Sequence, residues 1–358
     1  MRQHGNYWVW HDYIRRKHNF NGNKSITLTT HATYMDLGLL PTLLDRWQAP
    51  ISLSIYACGS DFDKTIQSLS YLIYCLKQGD LMRRFLSVHL VIDSENIPEN
   101  LKRFGISFIT PPYTCARSAP FEKMRQDLTF WNKKKLTYPV NLLRNVARYN
   151  AETYYIMALD LQLVPPPNFV KKFLKFVQTY YILKSYISSP YTSVYCLPTF
   201  AHKPHAPLAQ TKNQLIQVLK EYSITNPIYN HYELQNEWLS TQNSKDDLRI
   251  FSSSSKMNMC VGYISINELE PLYDERCDVE SIYDRGANLK AKVLVGLNYT
   301  FLILDGAFII RHSLDSWKSI DLVRMQHKTI LKFWLTWYKF YNNFLSLEPE
   351  AKRDNLNV

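Results

Sequence analysis

Between Ser25 and Phe200 the chain alternates between two hydrophobic periods, and this alternation constrains the fold more than any other feature. Strands are predicted over "SITLTT" (25–30), "ISLSIYAC" (51–58), "SVHLVID" (87–93), "ISFIT" (106–110), "TYYIMALD" (153–160) and "SVYCLPTF" (193–200). Segments with helical spacing separate them. "MDLGLLPTLLDRW" (35–47) is interrupted by Pro41, and 61–78 opens on an Asp cap and carries Ile66, Leu69, Ile73 and Leu76 on one face. "PVNLLRNVARYNA" (139–151) has Pro at its start, and 167–183 is amphipathic. Such alternation implies an α/β fold, a mostly parallel sheet with helices on both sides, whose ligand lies outside the carboxyl ends of the strands. The run 153–160 is apolar up to Asp160, which predicts a central strand buried on both faces. Residues 111–137 read as a loop with a short helix. Further on, "TFLILDGAFII" (300–310) reads as a hairpin turning at Asp305 and Gly306, and 323–345 as a long aromatic helix.

The 358 residues suffice for one large α/β domain or two small ones, and 46% hydrophobic with 20% charged residues are globular values. Only 10 glycines are present, with neither GxGxxG nor a Walker loop, which argues against a glycine-loop nucleotide fold. The net charge of +11 favours polyanions. The basic residues are scattered, the densest run being Lys133 to Lys135, and no RNA or DNA motif accompanies them, so a solvated basic surface is expected and no nucleic acid partner. The six cysteines show no CxxC or zinc spacing; their even number permits disulfides without demanding them. Sequons stand at Asn23 and Asn298. No run of about 18 apolar residues predicts a transmembrane helix. Charges and histidines interrupt "MRQHGNYWVWHDYIRRKH", so no signal peptide is expected there.

A carboxylate after a buried strand and before a proline-rich turn is rigidly held. Asp160 therefore suits Mg²⁺ or Mn²⁺, which in turn bind phosphate oxygens; a helix cap for "PNFVKK" is the competing reading. In 139–151, Asn141, Arg144, Asn145 and Arg148 fall at i, i+3, i+4 and i+7, on one face. Such a face can hold phosphate by charge-assisted hydrogen bonds, or it can be a solvated surface. His31, His202, His205, His231, His312 and His327 are spread along the chain, with His312 just after the expected hairpin, where it could approach a metal site. No Ser/His/Asp order or HExxH supports hydrolase chemistry.

Several segments together resemble glycosyltransferase family 49, the LARGE-type and β-1,4-glucuronyltransferase-type enzymes, including invertebrate-type members. They are "SITLTTHATYMDLGLLPTLLDRWQAPISLSIYA", "YPVNLLRNVARYNAETYYIMALDLQLVPPPNFV", "VYCLPTF", "PLYDER" and "YTFLILDGAFII", in the family's order, with the likeness running from about residue 7 to about residue 345. The resemblance implies a GT-A fold, a Rossmann-like mostly parallel sheet flanked by helices, with a C-terminal helical extension. It implies an aromatic and basic segment over 1–24, one glycosyltransferase domain over 25–345 and a polar tail over 346–358.

The family's Asp-x-Asp or Asp-x-Glu motif holds Mn²⁺ on the donor diphosphate. Asp160 matches its first carboxylate, and Gln162 stands where the second belongs. Asn141, Arg144 and Asn145 match a donor-side pattern, and Asp274, Glu275 and Arg276 match "YDER". The family usually has a His after "AF" plus two apolar residues. Arg311 stands there, with His312 one place late, and Ala201 stands where an acidic residue usually follows Phe. The resemblance thus implies Asp160, Gln162 and His312 as metal ligands, and Asn141, Arg144, Asn145, Asp160, Gln162 and Arg311 as the donor and diphosphate site. Gln162 offers a neutral oxygen, so Mn²⁺ or Mg²⁺ binding is weakened, and Arg311 could replace the metal altogether. The candidate base is Asp274, with Glu275 and Glu280 behind it.

The implied activity is inverting transfer of glucuronate, xylose or N-acetylglucosamine from a UDP-sugar to a glycan, such as an O-mannosyl glycan, on a secretory glycoprotein. The alternative is a catalytically impaired member that binds nucleotide-sugar, glycan or a partner without turnover. The resemblance also implies a homo- or hetero-oligomer with another glycosyltransferase and a membrane-associated location in the Golgi lumen.

Overall fold

The computed structural model describes residues 1–312 except 21, 100, 102–112, 123–127, 184–191, 204, 225–231, 242–246, 256–259, 261 and 276–288. The expected strand 106–110, the helix 323–345, the tail, Arg276 and Glu280 lie outside the described residues.

In chain order the strands are β1 (Arg2–His4), β2 (Tyr7–Ile14), β3 (Gly22–Ala32), β4 (Ile51–Tyr56), β5 (Leu86–Asp93), β6 (Thr153–Ala158), β7 (Leu163–Val164), β8 (Ser193–Leu197), β9 (Thr199–Ala201), β10 (Arg249–Ser254), β11 (Gly262–Ile266), β12 (Thr300–Asp305) and β13 (Ile309–Arg311). The α-helices are α1 (Leu40–Trp47), α2 (Asp61–Cys75), α3 (Gly79–Phe85), α4 (Phe130–Lys133), α5 (Val140–Tyr149), α6 (Phe169–Leu183), α7 (Lys212–Glu221), α8 (Tyr232–Ser240) and α9 (Leu289–Gly296). The large sheet has the order β1-β2-β5-β4-β3-β6-β11-β8-β12-β10. Its centre, β5-β4-β3-β6, is parallel; β11 then runs antiparallel to both β6 and β8. The α/β class and the central place of β6 are thus as the sequence predicts.

Why α5 lies where it does is a matter of small polar residues. β4 reads Ile-Ser-Leu-Ser-Ile-Tyr and is buried along its whole length. Ser52 and Ser54 face α5 and donate their hydroxyls to the carbonyls of Ala147 and Leu143, each at 2.6 Å. Serine is small enough to let the helix approach, and the donated bonds satisfy hydroxyls that burial would otherwise penalise. The apolar side of α5, with Leu142, Leu143 and Val146, packs with Val9, Tyr56, Cys58 and Val91.

Four expectations need correction. Residues 1–24 are not separate from the domain: β2 pairs antiparallel with β5 and β1 with β2, extending the sheet. In 35–47 the helix begins at Leu40; Tyr34–Leu39 form a 3-10 turn closed by a capping box between Thr33 and Asp36. Pro41 therefore sits in the first helical turn, where its missing N–H costs nothing. The strand 193–200 breaks at Pro198, since proline cannot donate to the ladder, and β8 and β9 go to different sheets.

The expected hairpin at Asp305 and Gly306 is not a hairpin. The chain does turn there, on Gly306 at φ +81°, a backbone that suits glycine. β12 stays in the large sheet, parallel to β8, while β13 leaves to join a small sheet, β7-β13-β9. Two disulfides, Cys75–Cys115 and Cys196–Cys260, tie α2 to the loop that follows β5 and β8 to the segment before β11, while Cys58 is a buried thiol.

Candidate active site

The carboxyl ends of β3 and β6 lie side by side, and a polar side chain at each end faces the other. β6 ends at Ala158; Leu159 still donates its N–H to the Thr29 carbonyl at 3.1 Å, and Asp160 opens a turn in which Leu163 N–H returns to the Asp160 carbonyl at 2.9 Å. Asp160 is no helix cap, because α6 begins only at Phe169. Its Oδ1 lies 3.1 Å from Nε2 of His31, near the end of β3, and 3.5 Å from Nη2 of Arg144 on α5. Nδ1 of His31 lies 2.8 Å from the Tyr138 hydroxyl, so the ring bridges Tyr138 and Asp160. Burial alone would raise the Asp160 carboxyl. The hydrogen bond and charge of His31, followed by Arg144, outweigh it and hold the group below the usual carboxylate range.

A second carboxylate, Asp36, feels the Asp160 charge, but it is spent locally. Its Oδ2 accepts the Thr33 N–H at 2.7 Å and the Thr33 hydroxyl at 2.8 Å. Burial pushes its carboxyl up against those bonds.

The polar face of α5 is not solvated. Asn141, Asn145 and Arg148 are buried and hold the segment 267–275. Asn141 donates to the Asp274 carbonyl at 2.9 Å; Asn145 donates to the Tyr273 carbonyl at 2.9 Å and to Glu275 Oε1 at 2.8 Å, and accepts the Tyr273 N–H at 2.9 Å. Arg148 donates to the carbonyls of Asn267, Glu270 and Pro271. Beneath them Glu270 is buried among Lys290, Arg148, Tyr263 and Ser265; burial would raise its carboxyl, and the two cations followed by the serine bring it below the usual range. Asn141 and Asn145, expected on the donor side, thus hold the segment 273–275. Arg144 is the member of the face that reaches the Asp160 turn, and its guanidinium also lies 5.1 Å from the Tyr273 ring centre.

Glu275, expected behind the base, has both oxygens engaged: Oε1 by Asn145 and Oε2 by His4 Nε2 at 2.6 Å. Asp274 is half-buried beside it, its carbonyl fixed by Asn141.

Gln162, Arg311, His312 and Ala201 meet in the small sheet. Arg311 is in register with Leu163 on one side and Ala201 on the other, and His312 N–H donates to the Gln162 carbonyl at 2.7 Å. The His312 ring packs edge-on against His202, with centroids 5.3 Å apart. The expected metal set thus offers one carboxylate already facing a guanidinium, one neutral amide and one imidazole packed edge-on against another. Among the described residues no group of three or more His, Cys, Asp or Glu could hold a metal ion. These residues do not fit a hard divalent cation, which asks for several anionic oxygens. Sequence reasoning missed His31 and Tyr138; the signal was available, since His31 lies near the carboxyl end of a central parallel strand, where such sheets bind ligands.

Residues 25–328 match the family model described as "Glycosyl-transferase for dystroglycan". The chain is similar to β-1,4-glucuronyltransferase 1 of Danio rerio, 28% identical over 155 residues, which cover 42% of this chain and 35% of that protein. It is similar to the Homo sapiens protein of the same name, 27% identical over 173 residues, 45% of this chain and 38% of that one. The chain thus spans little more than a third of the length of these curated relatives. Among solved structures, S. aureus TarS 1-349 is matched at 11% identity and a TM-score of 0.34, over 80% of this chain and 60% of that one.

Proposed function

The chain belongs to the family of glycosyl-transferases for dystroglycan, glycosyltransferase family 49, and from that premise we propose that it transfers a sugar from a UDP-sugar to a glycan acceptor with inversion at the anomeric carbon. The observation that carries this reading is the meeting of three distant segments at Arg144: the Asp160 turn, α5, and Tyr273 with Asp274 behind it. In this reading the Asp274 carboxylate takes the proton from the acceptor hydroxyl as its oxygen attacks the anomeric carbon. The bond to the diphosphate breaks on the opposite face, and the charge that develops on the leaving oxygens faces the Arg144 guanidinium. Asn141 and Asn145 act as positioning residues, because they fix the backbone on which Asp274 is carried. The donor sugar is glucuronate, xylose or N-acetylglucosamine.

Two disulfides favour an oxidising compartment, and both sequon asparagines, Asn23 and Asn298, are exposed. Both support a secretory-pathway location, with the Golgi lumen as the specific proposal. Among the described residues no helix is long and apolar enough to cross a membrane.

The test is UDP release from UDP-glucuronate, UDP-xylose and UDP-N-acetylglucosamine in the presence of O-mannosyl glycan acceptors. Wild type should turn over one of these donors, and Asp274→Asn should lose turnover while keeping its affinity for UDP. UDP binding without turnover of any donor would favour the second reading, a member that binds without catalysis, for which Gln162 in place of a carboxylate is the supporting observation.

A further inference from the structure

The Asp160 carboxylate already faces two basic protein groups. His31 Nε2 and Arg144 Nη2 address the same oxygen, Oδ1. The His31 ring is fixed in turn by Tyr138, and the Arg144 guanidinium is set over Tyr273. Asp36, the acid that feels the Asp160 charge, is closed into the cap of its own turn. Gln162 brings an uncharged amide to the same turn. A divalent ion at Asp160 would sit beside a guanidinium that is permanently charged, and like charges at that range repel.

We propose that Arg144 is the resident cation of this site, held by Asp160 and Tyr273 with His31 as a positioning residue, and that the chain takes a nucleoside diphosphate without a divalent metal. The inference deepens the donor reading above and rests on it. The sequence set Arg144 in the donor site and Arg311 as the group that could replace the metal; the inference gives that second role to Arg144. Guanidinium is well suited to hold a diphosphate, because its planar fork presents several donors to the phosphate oxygens and its charge does not depend on pH.

The full chain can be tested directly with two probes. Mn²⁺ alone is titrated into the protein and free Mn²⁺ is followed by electron paramagnetic resonance. UDP alone is titrated calorimetrically, once with chelator and once with Mn²⁺. The expected results are no uptake of Mn²⁺ at millimolar concentration and a UDP affinity that agrees within about twofold between the two buffers. In chelator, Arg144→Ala should weaken UDP by more than about tenfold, and Arg144→Lys should recover part of that loss, because the charge returns without the fork. His31→Gln, which cannot span from Tyr138 to Asp160 as the ring does, should weaken UDP by a smaller factor. Stoichiometric Mn²⁺ uptake that Asp160→Asn abolishes would overturn the inference while leaving the donor reading in place. So would UDP binding that tightens more than about tenfold with Mn²⁺, the scale on which a lost ligand sphere weakens metal sites. UDP binding in neither buffer would overturn the donor reading and this inference with it.

Discussion

Asp160 follows β6, Asp305 ends β12, and each carboxylate meets an arginine and one other basic side chain. Asp305 is fully enclosed. Its Oδ1 takes Lys212 Nζ at 2.7 Å and the Gly306 N–H at 2.9 Å, and its Oδ2 takes Arg249 at 2.8 Å. Lys212 is equally enclosed, donating also to the carbonyls of Trp238 and Thr241. The Asp160 cluster is built more loosely. Its members keep 20% (Asp160), 13% (His31) and 11% (Arg144) of their side-chain surface exposed, and the arginine stands off at 3.5 Å. The same chemistry therefore serves two ends. At Asp305 a fully buried acid and ammonium, with the half-exposed Arg249 at the rim, form a cross-link between α7, α8 and the sheet. At Asp160 all three members keep part of their side-chain surface open, at the place where the proposed diphosphate would bind.

Variants should separate the two clusters. The largest effect on stability is expected from Asp305→Ala, which strips the carboxylate from a buried ammonium; urea unfolding should show a loss of about 3–5 kcal/mol. Arg144→Ala should do the reverse. Turnover should fall by about 10²–10³-fold, as for the loss of one transition-state donor, while the unfolding free energy changes by less than about 1 kcal/mol. Asn145→Ala tests the latch between α5 and the segment 273–275, and should cost about 1–3 kcal/mol and lower kcat as well, because Tyr273 and Glu275 lose their shared anchor. His4→Ala removes an exposed partner of Glu275 and should shift stability by no more than about 0.5 kcal/mol.

The pH dependence has a definite sign. The folded Asp160 carboxyl lies below its usual value, so its contribution to stability is present above about pH 4 and is lost as the pH falls through its lowered value. Unfolding followed from pH 6 to pH 2 should show this loss, and Asp160→Asn should lessen it.

How far the sequence could be read follows from the range of the interactions. The strands 25–30, 51–58, 87–93 and 153–160 and the helix 139–151 are written in local periodicity, and they form with ends shifted by a few residues. Asp160 was visible because a polar residue ends an apolar run. The fate of the α5 polar face was not, since spacing places Asn141, Arg144, Asn145 and Arg148 together but does not say what covers them. Their partners, Asn267 to Glu275, are more than a hundred residues away. For the same reason "TFLILDGAFII" looked like a hairpin: its turn is local, whereas the partners of β13, Thr199–Ala201 and Leu163–Val164, are distant. The N-terminal strands escaped notice because β2 alternates Trp, Val, His and Asp without a clean period, and its pairing with β5 supplies what its own pattern lacks.

The most direct measurement is a crystal structure of the protein with UDP bound, grown in the presence of chelator. The account predicts the diphosphate within hydrogen-bond distance of the Arg144 guanidinium, between the Asp160 turn and Tyr273, with the Asp305 cluster unchanged. A diphosphate seated elsewhere, with Arg144 still turned to Asp160, would contradict it.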